Sequence, residues 1–364
     1  MLLCSIASFA QIIPVQPNQG EGTEGNPYKI DTPAEFMWIN SDKDAHYELT
    51  ADINLGTYHA TNNNFVIDTL LGTFDGGNHT ITYQGSFTAG NNAKIGLFGI
   101  NEGTITNLNL DANITVGGGG ARAVMGLLCG QNKGTIQFCD VIGNINSTVN
   151  TSNTGNTSTG LIIGSNLKDL LYCTGHGNVT GAGYVGGLVG SMGTPASQSN
   201  NGLIKGCYFT GNVTANMSES DLGEFASIFD IEVNSCAGGI CGMSLKPSRI
   251  EFCVAEAIIV TGQTAGGITT SPRIRYLYDN PVTTDNNYCT GIVNGSDVTS
   301  GNIVPNVVNW AANVPQGDNY FGNTNIDNTV DLLEQARCPN ENNCDDNFYF
   351  DVINGKVVLI VGEQ

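Results

Sequence analysis

Residues 95–108 read Ile95-Gly96-Leu97-Phe98-Gly99-Ile100-Asn101-Glu102-Gly103-Thr104-Ile105-Thr106-Asn107-Leu108, and the chain returns to this phrase several times. Its glycine-flanked apolar pair recurs as Leu128-Cys129-Gly130, Ile162-Ile163-Gly164, Leu188-Val189-Gly190 and Ile240-Cys241-Gly242, with Ile268-Thr269-Thr270 as a decayed last copy. A second apolar pair follows each copy at three-residue spacing: Ile105/Leu108, Ile136/Cys139, Leu170/Cys173, Ile204/Cys207, Ile250/Cys253 and Ile274/Leu277. Six residues beyond the Leu or Cys stands a third apolar position, Ile114, Ile145, Val179, Val213 or Ile259, with Val282 one residue early. Asn113, Asn144, Asn178 and Asn212 precede four of these, and Thr115, Thr180, Thr214 and Thr261 follow.

Short β-prone phrases that repeat in register describe a unit that cannot bury its apolar face alone and must stack on its neighbours. In a parallel β-solenoid each coil lies ~4.8 Å above the last, so equivalent residues form ladders along the axis. The Ile/Leu and Leu/Cys positions then line the interior. The glycines serve corners or positive φ, and the Asn row satisfies backbone groups at turns. Antiparallel sandwiches do not explain the registered recurrence, and a β-propeller needs repeats of about 40–45 residues. Composition agrees: 48 Gly and 44 Asn in 364 residues oppose helix, while 40% hydrophobic residues suffice for a core. The formal charge of −20 repels phosphate backbones and anionic membranes, which excludes nucleic-acid binding.

At this point the residues carry a family resemblance. The phrases Gly96 to Gly99 and Gly187 to Gly190 resemble the GLUG-motif repeats of bacterial cell-surface proteins. Upstream, Gly25-Asn26-Pro27-Tyr28-Lys29-Ile30, the segment Tyr47 to Ile53, and Phe74-Asp75-Gly76-Gly77-Asn78-His79-Thr80-Ile81 look like the coils that lead into such repeats. The resemblance implies a right-handed parallel β-helix on an adhesin-like or peptidase-associated surface protein, with no general catalytic residues to carry over. No HExxH motif is present, so the zinc-peptidase chemistry of some chains with these repeats is not encoded in this sequence.

The expected organisation is a signal peptide over residues 1–10, a cap with lead-in coils over 20–94, repeats over 95–290, and final coils with a capping hairpin over 291–364. The apolar start MLLCSIASFA ends in small residues before Gln11, which fits cleavage and export. No other run reaches the ~18 apolar residues of a membrane helix, so direct membrane insertion is not expected. The solenoid proper is expected from about residue 45 to 310. Pro33 to Asn40 reads as a short capping helix, and Asn354-Gly355 between apolar strands as a type I′ hairpin turn.

Chemistry is sparse in this reading. His46, His59, His79 and His176 lie in no metal-spacing motif, and His79 reads as a turn residue. Neither catalytic nor metal-ligating residues are assigned, and no cofactor is expected. A weak Ca²⁺ possibility rests on Asp327, Asp345, Asp346 and Asn347. Residues preceding the Leu/Cys ladder are aromatic in four of six copies, Phe138, Tyr172, Phe252 and Tyr276, and alternation turns them outward. They are candidate ligand contacts, or they pack beneath loops. Arg249, Arg273 and Arg275 lie on adjacent repeats and either neutralise an acidic sugar or form solvated surface. The long insertion from about Ala215 to Ser235 carries an apolar stripe of Leu222, Phe225 and Phe229, which either joins the ligand surface or covers the outward aromatics. Cys139, Cys173, Cys207 and Cys253 read as free thiols filling an apolar ladder, and Cys338 with Cys344 as the candidate disulfide. The favoured function is adhesion or binding of a glycan or host protein at the bacterial surface or after secretion. A carbohydrate-active β-helix enzyme and a structural spacer are the alternatives.

Overall fold

In the computed structural model the described residues are 12–60, 65–149, 157–193, 202–216, 236–244, 248–262, 264–269, 283–285, 287–293, 296–297, 320–321, 348–353 and 356–361. Their strands stack rung on rung into three sheets, in sequence order, as a parallel β-solenoid. The first sheet has nine short strands: Tyr28–Ile30, Tyr47–Leu49, Thr73–Asp75, Thr104–Thr106, Thr135–Gln137, Asp169–Leu171, Leu203–Lys205, Arg249–Glu251 and Thr283–Asp285. The second sheet carries the longer strands, among them Ile53–Ala60, Thr80–Ala89, Asn109–Gly118, Asp140–Ser147, Thr174–Gly181, Tyr208–Ala215, Val254–Thr261 and Tyr288–Val293. In the third sheet the unbroken strand Lys94–Asn101 gives way in later coils to two short strands with a bend between them, as in Ser158–Gly160 and Ile163–Asn166.

The sequence ladders are the structural ladders. Ile105, Ile136, Leu170, Ile204 and Ile250 face one another rung to rung, and all are buried. The column continues upward through Phe74 and Tyr47. Phe98, Cys129, Ile163, Val189, Cys241 and Thr269 form the column of the glycine-flanked pair, so the decayed copy is in register. Parallel pairing already begins at Tyr28–Ile30, one rung before the expected start near residue 45.

Two positions depart from the expected register. Val213 pairs with Val260, not Ile259, because the strand Val254–Thr261 contains an irregularity opposite Thr210/Asn212. In the following coil the ladder position is held by Thr284, which pairs with Ile250. Asn287 stands beyond Cys253, accepting the Cys253 N–H on its Oδ1 at 2.8 Å and donating from Nδ2 to the Ile250 carbonyl at 2.8 Å. The expected pair Ile274/Leu277 therefore does not occupy that rung. A polar amide substitutes for the thiol because it can satisfy the backbone groups that the last regular coil leaves open.

Glycine in the repeated phrase is required by close approach rather than by positive φ. A Cβ on Gly164 would lie 2.2 Å from the Met125 nitrogen, and one on Gly160 would lie 2.3 Å from the Ile163 carbonyl oxygen. The bend between the two short strands presses backbone on backbone, and any side chain would open it.

The N-terminal end is closed by helix Pro33–Met37 and a following 3₁₀ turn, Trp38–Asn40. Thr32 caps the helix through the Glu35 N–H, and the Glu35 carboxylate accepts from the Asp31 N–H. Phe36 then drops edge-on between Phe74 and Phe98, sealing the first rungs. At the other end Phe348–Ile353 and Lys356–Val361 pair as an antiparallel hairpin in which Ile353 opposes Lys356. Its second strand lies near Thr174–Gly181 of the second sheet. The expected signal peptide lies outside the described residues.

Candidate functional site

From the strand Thr104–Thr106 onward, each coil passes from the first sheet to the second through a two-residue corner. The first corner residue is left-handed in coil after coil: Asn107 at φ 53°, Phe138 at 54°, Tyr172 at 53°, Gly206 at 62° and Phe252 at 54°. Ladder hydrogen bonds hold the conformation, with Phe138 N–H donating to the Leu171 carbonyl at 3.1 Å and Tyr172 N–H to the Lys205 carbonyl at 2.8 Å. The second corner residue points inward and supplies the Leu/Cys column. The aromatics thus point outward, as expected, but because of a left-handed corner and not through strand alternation.

Asn and Gly adopt this conformation readily, whereas a large side chain pays about 1–2 kcal/mol for it. Phe138 and Tyr172 stack with centroids 5.7 Å apart and planes within 8°. Such a pair contributes about 0.5–1.5 kcal/mol, comparable with the strain of a single residue. Phe252 sits two rungs from Tyr172, across Gly206, with Lys205 Nζ 6.0 Å from its ring centre. All three rings are half-buried. Arg249, exposed on the same sheet, pairs with Glu251 at 3.2 Å.

The other expected ligand residues are not brought to this stripe by anything described. Tyr276, Arg273, Arg275, Leu222, Phe225 and Phe229 lie outside the described residues, as do Cys338, Cys344 and the acidic group Asp327, Asp345, Asp346 and Asn347. Register places the next corner between Asp285 and Asn287, so Tyr276 is not its corner residue. The long insertion leaves the second sheet after Ala215 and rejoins the third at Cys236. Its roots are a full eight-residue strand, about 26 Å, from the aromatic corner.

Register places the expected Asn row and brings out two rows that the sequence reading did not name. On the outer face of the second sheet, Asn113, Asn144, Asn178 and Asn212 form an exposed ladder. The Oδ1 of Asn113, Asn144 and Asn178 each accepts both the backbone N–H and the side-chain amide of the Asn one coil on, the amide contacts measuring 2.8–2.9 Å. This ladder sits in mid-strand at a kink formed by Gly143, Gly177 and Gly211, not at a turn between sheets. Inside, Asn101, Asn132 and Asn166 form a fully buried ladder at 2.8 Å spacing that the sequence reading missed. Its trace in the sequence is an Asn four residues before Ile105, Ile136, Leu170 and Ile204.

The third row is chemically the richest. Asp140 Oδ1 lies 3.7 Å from His176 Nε2, the His176 ring meets Tyr208 at 5.5 Å, and the Tyr208 hydroxyl donates to Glu256 at 2.9 Å. Burial, then the Glu256 charge, push the Tyr208 pKa well up, so the phenol keeps its proton. His176 and Tyr208 are buried. Asp75, by contrast, is committed to structure, accepting from Gly77 N–H at 2.9 Å and Asn107 Nδ2 at 3.0 Å.

The cysteine column is a stack of free, buried thiols in which Cys139 N–H meets Cys173 Sγ at 3.4 Å and Cys173 N–H meets Cys207 Sγ at 3.4 Å. Among the described residues no three His, Cys, Asp or Glu side chains are grouped so as to hold a metal ion. No described helix is long and apolar enough to cross a membrane.

Comparison with known proteins agrees at the level of architecture. A crystal structure from Bacteroides ovatus, described as a candidate immunoglobulin A1 protease, superposes with a TM-score of 0.60 over 95% of this chain and 96% of its own, at 17% identity. That likeness shows the fold. Halomucin of Haloquadratum walsbyi is 31% identical over 192 residues, or 49% of this chain, and the chain spans about 2% of that protein's length. No family model matches the chain.

Proposed function

We propose that this chain is a non-enzymatic, surface-displayed or secreted β-solenoid that binds a glycan or a host protein along the corner of its first and second sheets, in adhesion or ligand capture. The observation that carries the reading is the left-handed aromatic stripe. Phe138, Tyr172 and Phe252 occupy positions where the neighbouring coils use Asn107 and Gly206 at no steric cost. Strained, outward aromatic residues along one corner are expected where a ligand repays the strain. The partial similarity to a protein named Halomucin supports an extracellular setting. The GLUG-like phrases support a place on a bacterial surface.

A glycan and host-protein array tests the reading, with wild type compared against Phe138→Asn, Tyr172→Asn and Phe252→Asn. Loss of the wild-type hits in the Asn variants supports it, and unchanged hits refute the stripe as the site. A second reading, a carbohydrate-active enzyme, is favoured by the row Asp140, His176, Tyr208 and Glu256, which joins two acids to a potential proton donor. Reducing-sugar and unsaturated-uronate release, abolished by Tyr208→Phe, would select it.

A further inference from the structure

The first outward column of the second sheet runs through Asp140, Thr174, Tyr208 and Val254 on successive coils, and the next through Ile142, His176, Thr210 and Glu256. Between them lie the inward Val141, Gly175, Phe209 and Ala255, so both columns belong to the outer face. Burial along them is uneven. Ile142 is 42% exposed, whereas His176 is 6%, Tyr208 3% and Thr174 0% exposed. Asn178, two residues beyond His176 on the same face, is exposed again. The outer face is therefore covered locally, over the start of the strands Thr174–Gly181 and Tyr208–Ala215.

The hairpin of Phe348–Ile353 and Lys356–Val361 lies at that place. Its second strand comes within 8 Å of Thr174–Gly181, Cα to Cα, although three further coils of the second sheet follow that strand. The inner side of Thr174–Gly181 faces the core, so the hairpin lies outside, nearer than the about 10 Å of stacked sheets. Its register joins Phe348 with Val361, Phe350 with Leu359 and Val352 with Val357, three wholly apolar pairs that alternate with the exposed Asp351. A two-stranded hairpin is marginal alone, and such pairs need a surface to rest on. Among the described residues the hairpin is a sheet of its own, and no ladder ties it to the solenoid.

We propose that this hairpin is a lid: it shuts the row of Asp140, His176, Tyr208 and Glu256 and lifts as one unit to open it. An element tied by no ladder opens at lower free energy than the stacked coils, so lifting leaves the solenoid folded. The consequence for chemistry rests on the second reading above. Only the lifted state presents the His176 imidazole and the Tyr208 hydroxyl to a polysaccharide. Such a chain could then run beside the aromatic corner, because Asp140 and Thr174 stand two residues after Phe138 and Tyr172.

The test compares the full wild-type chain with the double variant Phe350→Asp, Leu359→Asp, which sets two carboxylates opposite each other in one pair and unseats the hairpin. Carbethoxylation by diethyl pyrocarbonate, mapped by mass spectrometry, reads the exposure of each histidine. In wild type His176 should react about tenfold or more slowly than His79, whose side chain is 37% exposed. In the double variant the His176 rate should rise about tenfold or more, with the thermal melt of the solenoid unchanged. An unchanged His176 rate overturns the lid, and a melt that falls as the rate rises overturns opening as a separate unit. Release of reducing sugar or unsaturated uronate from polygalacturonate, hyaluronan or xylan should be about tenfold or more faster in the double variant, and lost when Tyr208→Phe is added. Equal release by wild type and variant overturns the lid and leaves the enzyme reading standing. A reactive His176 with no release from any of the three overturns the enzyme reading and leaves the lid standing.

Discussion

Replacing Phe252 by Asn puts the residue found at the same corner in the coil of Asn107 into a coil that now bears an aromatic ring, and its effect on stability can be worked out from the structure. The residue is more buried than exposed, so removing the ring forfeits most of the ~1.5–3 kcal/mol of a fully buried side chain, or ~1–2.5 kcal/mol. The contact with Lys205 contributes about 0.5–1 kcal/mol more. Against these losses, Asn at φ 54° releases about 1–2 kcal/mol of left-handed strain. Net destabilisation should therefore stay below about 2.5 kcal/mol. Phe209→Ala, which empties a fully buried site one sheet away, should cost ~3–5 kcal/mol. Denaturant titration of both variants beside wild type, followed by circular dichroism, measures the contrast. If Phe252→Asn destabilises as much as Phe209→Ala, the ring is a structural element and the argument from strain to binding fails.

Other substitutions discriminate the remaining parts of the account. Gly177→Ala would put a Cβ 1.6 Å from the Gly143 carbonyl oxygen at φ 152°, and should lower stability by several kcal/mol in the same titration, whereas Asn178→Ala in the exposed ladder beside it should cost under ~1 kcal/mol because water replaces the amide. Leu188→Asp and Ile162→Asp should fail to fold, since each places an unpaired charge in the core, and near-native melting of either would contradict the ladder. Asn132→Ala should cost ~2–6 kcal/mol by stranding partners on both neighbouring rungs. Burial pushes the Cys129 thiol up to about 12 and Cys241 up to about 11, so the folded state retains protons that the unfolded chain gives up above pH ~9. Stability should thus fall as pH rises from about 9 to 11, and in the folded protein both thiols should resist alkylation at pH 8. A flat stability profile there would place these thiols in water.

What could be read from the sequence was whatever repeats at fixed spacing. Ile105/Leu108 and its copies disclosed both register and interior, because inward positions of a solenoid tolerate little but apolar side chains of similar bulk. Reading failed where one residue shifts the register, as at Val260, or where a polar residue takes the register position expected for Ile274 or Leu277, as Thr284 and Asn287 do. The buried Asn101 ladder was obscured because asparagine is abundant throughout this chain, with 44 copies. Asp140, His176, Tyr208 and Glu256 are up to 116 positions apart and meet only once four coils are aligned. The aromatic corner was legible as outward-facing, but its left-handed backbone was not. Phe and Tyr give no hint of positive φ, and only Asn107 and Gly206 at equivalent positions reveal it.

The binding claim is tested most directly by hydrogen–deuterium exchange of the full chain with and without a saturating ligand taken from the array hits. The account predicts added protection concentrated at residues 133–138, 168–172, 203–206 and 249–252, with the strands of the second sheet beyond the corner unchanged. Protection that falls instead on the Asn113 to Asn212 face, or on the lead-in coils before residue 90, would contradict it.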